Sequence, residues 1–235
     1  MIKRVVGYSL LPGTDPEEFW QYHTEVHSAD FKRAAGTGQH KYVINRVKKV
    51  RRGEPNFFGL VQHWFVSEEA MEEALRNSRN TRLPSGKTMS EDFRSRVTGG
   101  FIVIMEEKEI ALPRTAPAPR RGRLVKTLAL NSLLDNINPD EFWRYHIEVH
   151  APDFRKIAGP GLRKYVISRV INVVSGEPKF WETVEQWWDS EEAFHTAMEK
   201  CRTTKLANGK TLFDDFDEQV TVNLAAFVEE KEISL

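Results

Sequence analysis

The chain has 235 residues, 40% hydrophobic and 29% charged, with 34 basic side chains against 34 acidic ones. This is a soluble globular composition, and with no basic block to track phosphates it excludes nucleic acid as an expected partner. The single cysteine, Cys201, excludes an internal disulfide framework; with no apolar run of signal or membrane-spanning length, a cytoplasmic protein with no membrane partner is expected.

In chain order, Lys3 to Leu11 reads as a β-branched strand broken at Pro12-Gly13. Asp15 caps a helix with Pro16 at its first position, and the helix runs to about Ala35, where glycines end it. Lys41 to Val50 and Phe57 to Val66 are strands joined by a turn at Arg51 to Pro55. Ser67 caps a helix from Glu68 to about Arg79; a short turn around Met89 to Arg94 precedes a last strand, Thr98 to Glu109. This β-α-β-β-α-β order predicts a ferredoxin-like α+β unit with both helices on one sheet face.

The second half repeats the first at a constant offset of 123. Lys41-Tyr42-Val43-Ile44 returns as Lys164-Tyr165-Val166-Ile167, and Gly53-Glu54-Pro55 as Gly176-Glu177-Pro178. The division is therefore unit 1–112, a proline-rich basic linker 113–123, and unit 124–235. The uncovered face of each sheet is satisfied if the two sheets pack together as one closed, pseudo-dimeric α/β barrel. A further homodimer of the tandem chain stays open.

The first helix of each unit carries the chemistry. Phe19-Trp20-Gln21-Tyr22-His23-Thr24-Glu25-Val26-His27-Ser28-Ala29-Asp30-Phe31 returns as Phe142-Trp143-Arg144-Tyr145-His146-Ile147-Glu148-Val149-His150-Ala151-Pro152-Asp153-Phe154. At about 100° per residue, His23, His27 and Asp30 share one helix flank, as do His146, His150 and Asp153. Two histidines and a carboxylate on an inward face are costly to bury without a use. Three readings stand: mutual satisfaction inside a packed interface, histidine acid–base chemistry, and a metal site made by His23, His27 and Asp30.

Tyr42 and Tyr165 are placed to donate to a substrate oxygen, and Trp64 and Trp187 to line a flat apolar pocket; each suits an ordinary core as well. Four of the differences between the units matter for which pocket works: Tyr8 becomes Asn131, His40 Arg163, His63 Gln186 and Glu72 His195. His63 is expected to join the first pocket alone. No phosphate loop, zinc-type cysteine pair or nucleophile elbow appears.

The run Asp-Pro-Glu-Glu-Phe-Trp, the following tyrosine, Val149-His150-Ala151-Pro152 and the strand tyrosine in Lys41-Tyr42-Val43 resemble the EthD family of the dimeric α/β-barrel superfamily. The resemblance covers both units. It implies a pocket between sheet and helices and, often, cofactor-free proton transfer, with His27 and His150 as participants. His23, His146, Asp30 and Asp153 depart from the family pattern, and each adds polarity to the same face.

The combined expectation is a lyase, isomerase or cyclase working without a cofactor on a small oxygenated molecule of phenolic, lactone or polyketide type. His27 and His150 are its acid/base groups, oriented by Asp30 and Asp153, with His23 and His146 as a relay. The alternatives are a divalent-metal enzyme on the same face, or a non-catalytic small-ligand or haem-binding protein.

Overall fold

The computed structural model describes residues 1–112 and 124–234, so the predicted linker at 113–123 lies outside the described residues. The first half contains β1 (Ile2–Leu10), a helix α1 in three consecutive segments (Pro16–Gln21, a π-helical turn Tyr22–His27, and Ser28–Ala35), β2 (Gln39–Gly53), β3 (Gly59–Phe65), α2 (Glu68–Asn80), α3 (Met89–Arg94) and β4 (Val97–Glu109). The second half repeats the order: β5 (Val125–Leu133), α4 (Pro139–Tyr145, π-helical His146–His150, Ala151–Ala158), β6 (Leu162–Ser175), β7 (Glu182–Trp188), α5 (Glu191–Thr203), α6 (Leu212–Asp217) and β8 (Val220–Ile233).

Helix starts reflect local chemistry. The Asp15 carboxylate accepts from the backbone N–H groups of Glu17 and Glu18, and Asn138 does the same for Asp140 and Glu141, satisfying donors that lack helical partners. Ser67 and Ser190 cap α2 and α5 in the same way.

The eight strands close into one antiparallel barrel in the order β1-β3-β2-β8-β5-β7-β6-β4. The halves join by strand edges rather than as stacked layers. β2 pairs with β8 from Tyr42↔Ile233 to Gly53↔Leu224, and β4 pairs with β6 from Ile102↔Ser175 to Glu109↔Val166. Closure removes the exposed edges that an open sheet would leave. The barrel interior is apolar and shared, with Val5, Leu60 and Met105 packing against Leu128, Leu224 and Val228.

A buried polar network occupies part of the same interior. The Glu185 carboxylate takes Lys126 Nζ at 2.6 Å and Lys3 Nζ at 3.1 Å, and Gln62 Nε2 donates to it at 2.7 Å. Lys3 also reaches Glu107 at 2.7 Å, and Lys126 reaches Glu230 at 2.6 Å. Burial by itself would raise the Glu185 pKa, but the two ammonium groups hold it well below the usual carboxylate range.

This network corrects the placement of Trp64 and Trp187. Trp64 lies under Lys3 and Lys41, each about 5.0 Å from its ring, and Trp187 under Lys126 at 4.5 Å, with its indole N–H donating to Glu230. Successive strand residues point to opposite faces, so a strand that sends His63 toward the helices must send Trp64 into the barrel.

Candidate active site

Each half has a cavity between its helices and its sheet. The N-terminal one measures about 190 Å³ and is bordered by His23, His27, Tyr42, His63 and Phe93. The C-terminal one measures about 590 Å³, within the range of small-molecule sites, and His146, His150, Tyr165, Asn131 and Gln186 border it together with aromatic side chains.

The π-helical turn brings the paired histidines together: ring centroids are 5.5 Å apart for His23 and His27 and 5.2 Å for His146 and His150. Such turns recur at functional sites. The wider turn also shifts the helical phase of the residues beyond it. Asp30 is drawn off to Arg33, and Asp153 pairs with Lys156 at 2.9 Å, so neither aspartate orients a histidine. Phe31 and Phe154 are buried against Tyr42 and Tyr165, with ring centroids 5.7 Å and 5.4 Å apart. With Asp30 turned away, the His23, His27, Asp30 metal set is not assembled; among the described residues no group of three or more potential metal-holding side chains comes together.

His27 and His150 border the cavities but lack polar support. The Nδ1 of each is buried with no hydrogen-bond partner, and the rings lie on Phe93 at 4.4 Å and Phe216 at 4.3 Å. Burial lowers the His27 pKa to about 4, against a smaller opposing pull from Asp92. Burial and then His146 push His150 well below the usual histidine range. Both are neutral imidazoles at neutral pH.

The inner histidines differ between halves. His23 Nδ1 meets the Tyr8 hydroxyl at 2.9 Å and its Nε2 meets Tyr42 at 3.3 Å, so its partners are both phenols. His146 Nδ1 meets the Glu182 carboxylate at 2.9 Å and its Nε2 meets Tyr165 at 3.3 Å. Asn131 donates to the other Glu182 oxygen at 2.8 Å. The residue matching Glu182 is Gly59, and a Cβ there would stand 2.5 Å from the Tyr8 hydroxyl. Tyr8 with Gly59 and Asn131 with Glu182 are thus two packing solutions for one space. Only the second places a carboxylate against the imidazole.

Glu182 carries no local motif that would mark it as a site residue. Its signal lies in the internal repeat, where Gly59 becomes Glu182 alongside the Tyr8-to-Asn131 change. His63 sits in the N-terminal cavity, with its Nδ1 2.7 Å from Gln39 Nε2 and its ring 4.4 Å from that of Tyr42. Burial, Arg4 and His27 hold its pKa well below the usual value. Burial also raises the Tyr42 phenol, and burial and then Glu182, among other groups, raise that of Tyr165 well above the usual value; both retain their protons.

No family model matches the sequence, and no curated protein matches it. Solved structures share the fold across nearly the whole chain. An anthrone oxidase-like protein is 12% identical with a TM-score of 0.56, covering 98% of this chain and 92% of its own. A provisionally named monooxygenase from Fusobacterium nucleatum is 9% identical with a TM-score of 0.57, covering 98% and 93%. A provisionally named chlorite dismutase is 13% identical with a TM-score of 0.52, covering 97% and 94%. These likenesses show that the chain shares the eight-stranded dimeric α/β-barrel fold. They do not single out EthD within it.

The comparison corrects the expectation of no cofactor. Chlorite dismutase structures share this fold, so haem belongs to the range of ligands found on it. The C-terminal residues are compatible with such a group. A metal-bound histidine commonly holds its second nitrogen against a carboxylate, as His146 does with Glu182, and the His150 imidazole borders the same cavity. Among the described residues no helix is long and apolar enough to cross a membrane.

Proposed function

We propose that the chain is a small-molecule enzyme of the dimeric α/β-barrel class, a duplicated ferredoxin-like unit whose C-terminal cavity is the working site. Its ligand is a flat, oxygenated, largely aromatic molecule, and the protein controls a proton on one of that ligand's oxygens. The observation that carries this reading is the Glu182–His146–Tyr165 chain ending at a cavity of about 590 Å³. The names of the anthrone oxidase-like and monooxygenase neighbours are consistent with chemistry on such molecules.

In this mechanism the Glu182 carboxylate accepts the His146 Nδ1–H and fixes the tautomer that leaves Nε2 as an acceptor. Tyr165 donates to Nε2. When a ligand hydroxyl approaches the Tyr165 oxygen, its proton passes to Tyr165 as the phenol proton passes to His146. The resulting imidazolium is stabilised by the Glu182 carboxylate at its Nδ1–H. His150 and its Phe216 partner form an apolar wall, and Gln186 offers a neutral hydrogen bond. The N-terminal cavity lacks a carboxylate in this position and is the less suited of the two to the same chemistry.

The test uses 2-naphthol as a hydroxyaromatic probe, with its bound ionisation read from its ultraviolet spectrum. Wild type should lower the apparent pKa of the bound naphthol, whereas Glu182→Gln and Tyr165→Phe should bind it without that shift. A bound pKa that is the same in all three proteins would refute the relay.

A second reading has haem in the same cavity, favoured by the carboxylate-backed His146. His146 and His150 are the residues that would hold it, and haem would supply redox chemistry when bound. Titration with hemin should then give a Soret band that His146→Ala or His150→Ala removes. An unbound hemin spectrum in wild type eliminates this reading.

A further inference from the structure

The C-terminal cavity is not built from the C-terminal half alone. Arg51 and Arg52, from the far end of β2 in the N-terminal half, border its mouth, and Arg202 of α5 faces them. β2 reaches there because it runs along β8, and Gly53 seals the contact. A Cβ at Gly53 would stand 1.8 Å from the Asn223 carbonyl oxygen, and its φ of +73° suits glycine. Between Val50↔Ala226 and Arg52↔Ala225 the register skips Arg51, leaving it as the extra residue of a β-bulge. Bulges commonly re-aim a side chain beside an active site.

The re-aimed Arg51 guanidinium lies 4.3 Å from the Phe194 ring and 5.9 Å from that of Phe227. Among the described residues it has no ion-pair partner, and its strongest charge neighbour is another cation, Arg202. The carboxylates around the mouth are otherwise engaged. Asp214 caps α6 through the Thr211 N–H, Asp217 stands 4.0 Å from Arg52, and Glu199 stands 3.7 Å from Arg202. The matching bulge in β6 carries Val174, followed by Ser175, so the feature serves one cavity only. A guanidinium lying over an aromatic ring without an ion-pair partner has N–H donors to offer a planar anion.

We infer that the ligand of the C-terminal cavity carries a carboxylate, bound at the mouth by Arg51 while its oxygenated ring reaches Tyr165. The inference rests on the reading of this cavity as the ligand site. It makes the tandem arrangement functional, because the specificity residue comes from one half and the proton relay from the other.

The experiment compares 6-hydroxy-2-naphthoate, whose carboxylate and hydroxyl sit at opposite ends of the rings, with 2-naphthol, measuring dissociation constants for wild type, Arg51→Val and Ala225→Phe. The last variant obstructs the cavity wall, and thermal unfolding checks that each protein is folded. Wild type should prefer the carboxylate by roughly tenfold to a hundredfold, the range of a charged hydrogen bond. Arg51→Val should erase that preference and leave 2-naphthol binding unchanged, and raised salt should weaken the carboxylate alone. Equal affinities in wild type, or a preference that survives Arg51→Val, overturn the carboxylate assignment while the cavity reading stands if Ala225→Phe still blocks both probes. Binding indifferent to Ala225→Phe, or no binding of either probe, removes the cavity reading and the carboxylate assignment with it.

Discussion

The Nδ1 of His146 stands 2.9 Å from the Glu182 carboxylate, whereas the same nitrogen of His23 stands 2.9 Å from the Tyr8 phenol. One ionisable partner in place of a neutral one separates the surroundings of two matched histidines. The difference is chemical rather than geometric, because both rings keep a second tyrosine at 3.3 Å. A carboxylate can stabilise an imidazolium; a phenol that keeps its proton cannot do so to the same extent.

The two packing solutions should resist piecewise exchange. Gly59→Glu alone forces a side chain into the space of the Tyr8 hydroxyl and should destabilise by roughly 1–3 kcal/mol, as overpacking of a filled core does. Tyr8→Asn with Gly59→Glu should recover much of that loss. Chemical denaturation of both single variants and the double variant measures the coupling, and strictly additive effects would contradict the swap.

Removal of the relay should show in turnover before it shows in affinity. Once a substrate is identified, Glu182→Gln and Tyr165→Phe should each lower kcat by about 10²–10⁴-fold, the usual span of acid–base assistance. Glu182→Gln combined with Tyr165→Phe should cost little more than either alone, since the groups act in series. The matching Tyr42→Phe change should leave kcat nearly unaltered.

The barrel interior depends on a single carboxylate between two lysines. Glu185→Gln leaves Lys3 and Lys126 with only their partly exposed partners, Glu107 and Glu230, and should cost roughly 3 kcal/mol. Gln62→Glu replaces a donor to Glu185, 2.7 Å away, by a second buried carboxylate and should also destabilise, because like charges then meet in the interior. Urea unfolding at neutral pH gives both values.

Stability should fall as the medium is acidified, in two windows. His27 has a folded pKa of about 4, below its unfolded value of about 6.5, so the unfolded chain binds the extra proton between those limits. Stability is therefore lost as pH falls from about 6.5 towards 4, by up to about 3 kcal/mol for this residue, and His150 adds to the loss in the same direction. Glu185, held below the usual carboxylate range, keeps its contribution above the unfolded carboxylate pKa of about 4.3 and loses it below. Replacing His27 by Gln should make the first window shallower, with the His150 part remaining, and leave the second, as monitored by thermal unfolding across pH.

Much of the architecture is legible in the chain itself. The repeat at an offset of 123, the caps at Asp15 and Ser67 and the alternating strands reflect local periodicity and backbone hydrogen bonding, which neighbouring residues settle among themselves. The same is true of the paired histidines, whose four-residue spacing keeps them on one helix flank whether the turn is α or π. What needed the structure was the backbone geometry of the π turn, the choice of which strand face meets the helices, and everything set by partners distant in sequence. Asp30 left the histidines because a π turn altered the helical phase and Arg33 drew it away; Trp64 left the pocket because its neighbour His63 already pointed there. Glu182 lies 36 positions from His146, and Arg51 enters the other half's cavity only because β2 and β8 share an edge. Local periodicity decides which side of an element each residue occupies, but the charge that faces it across the fold is decided by closure of the sheet.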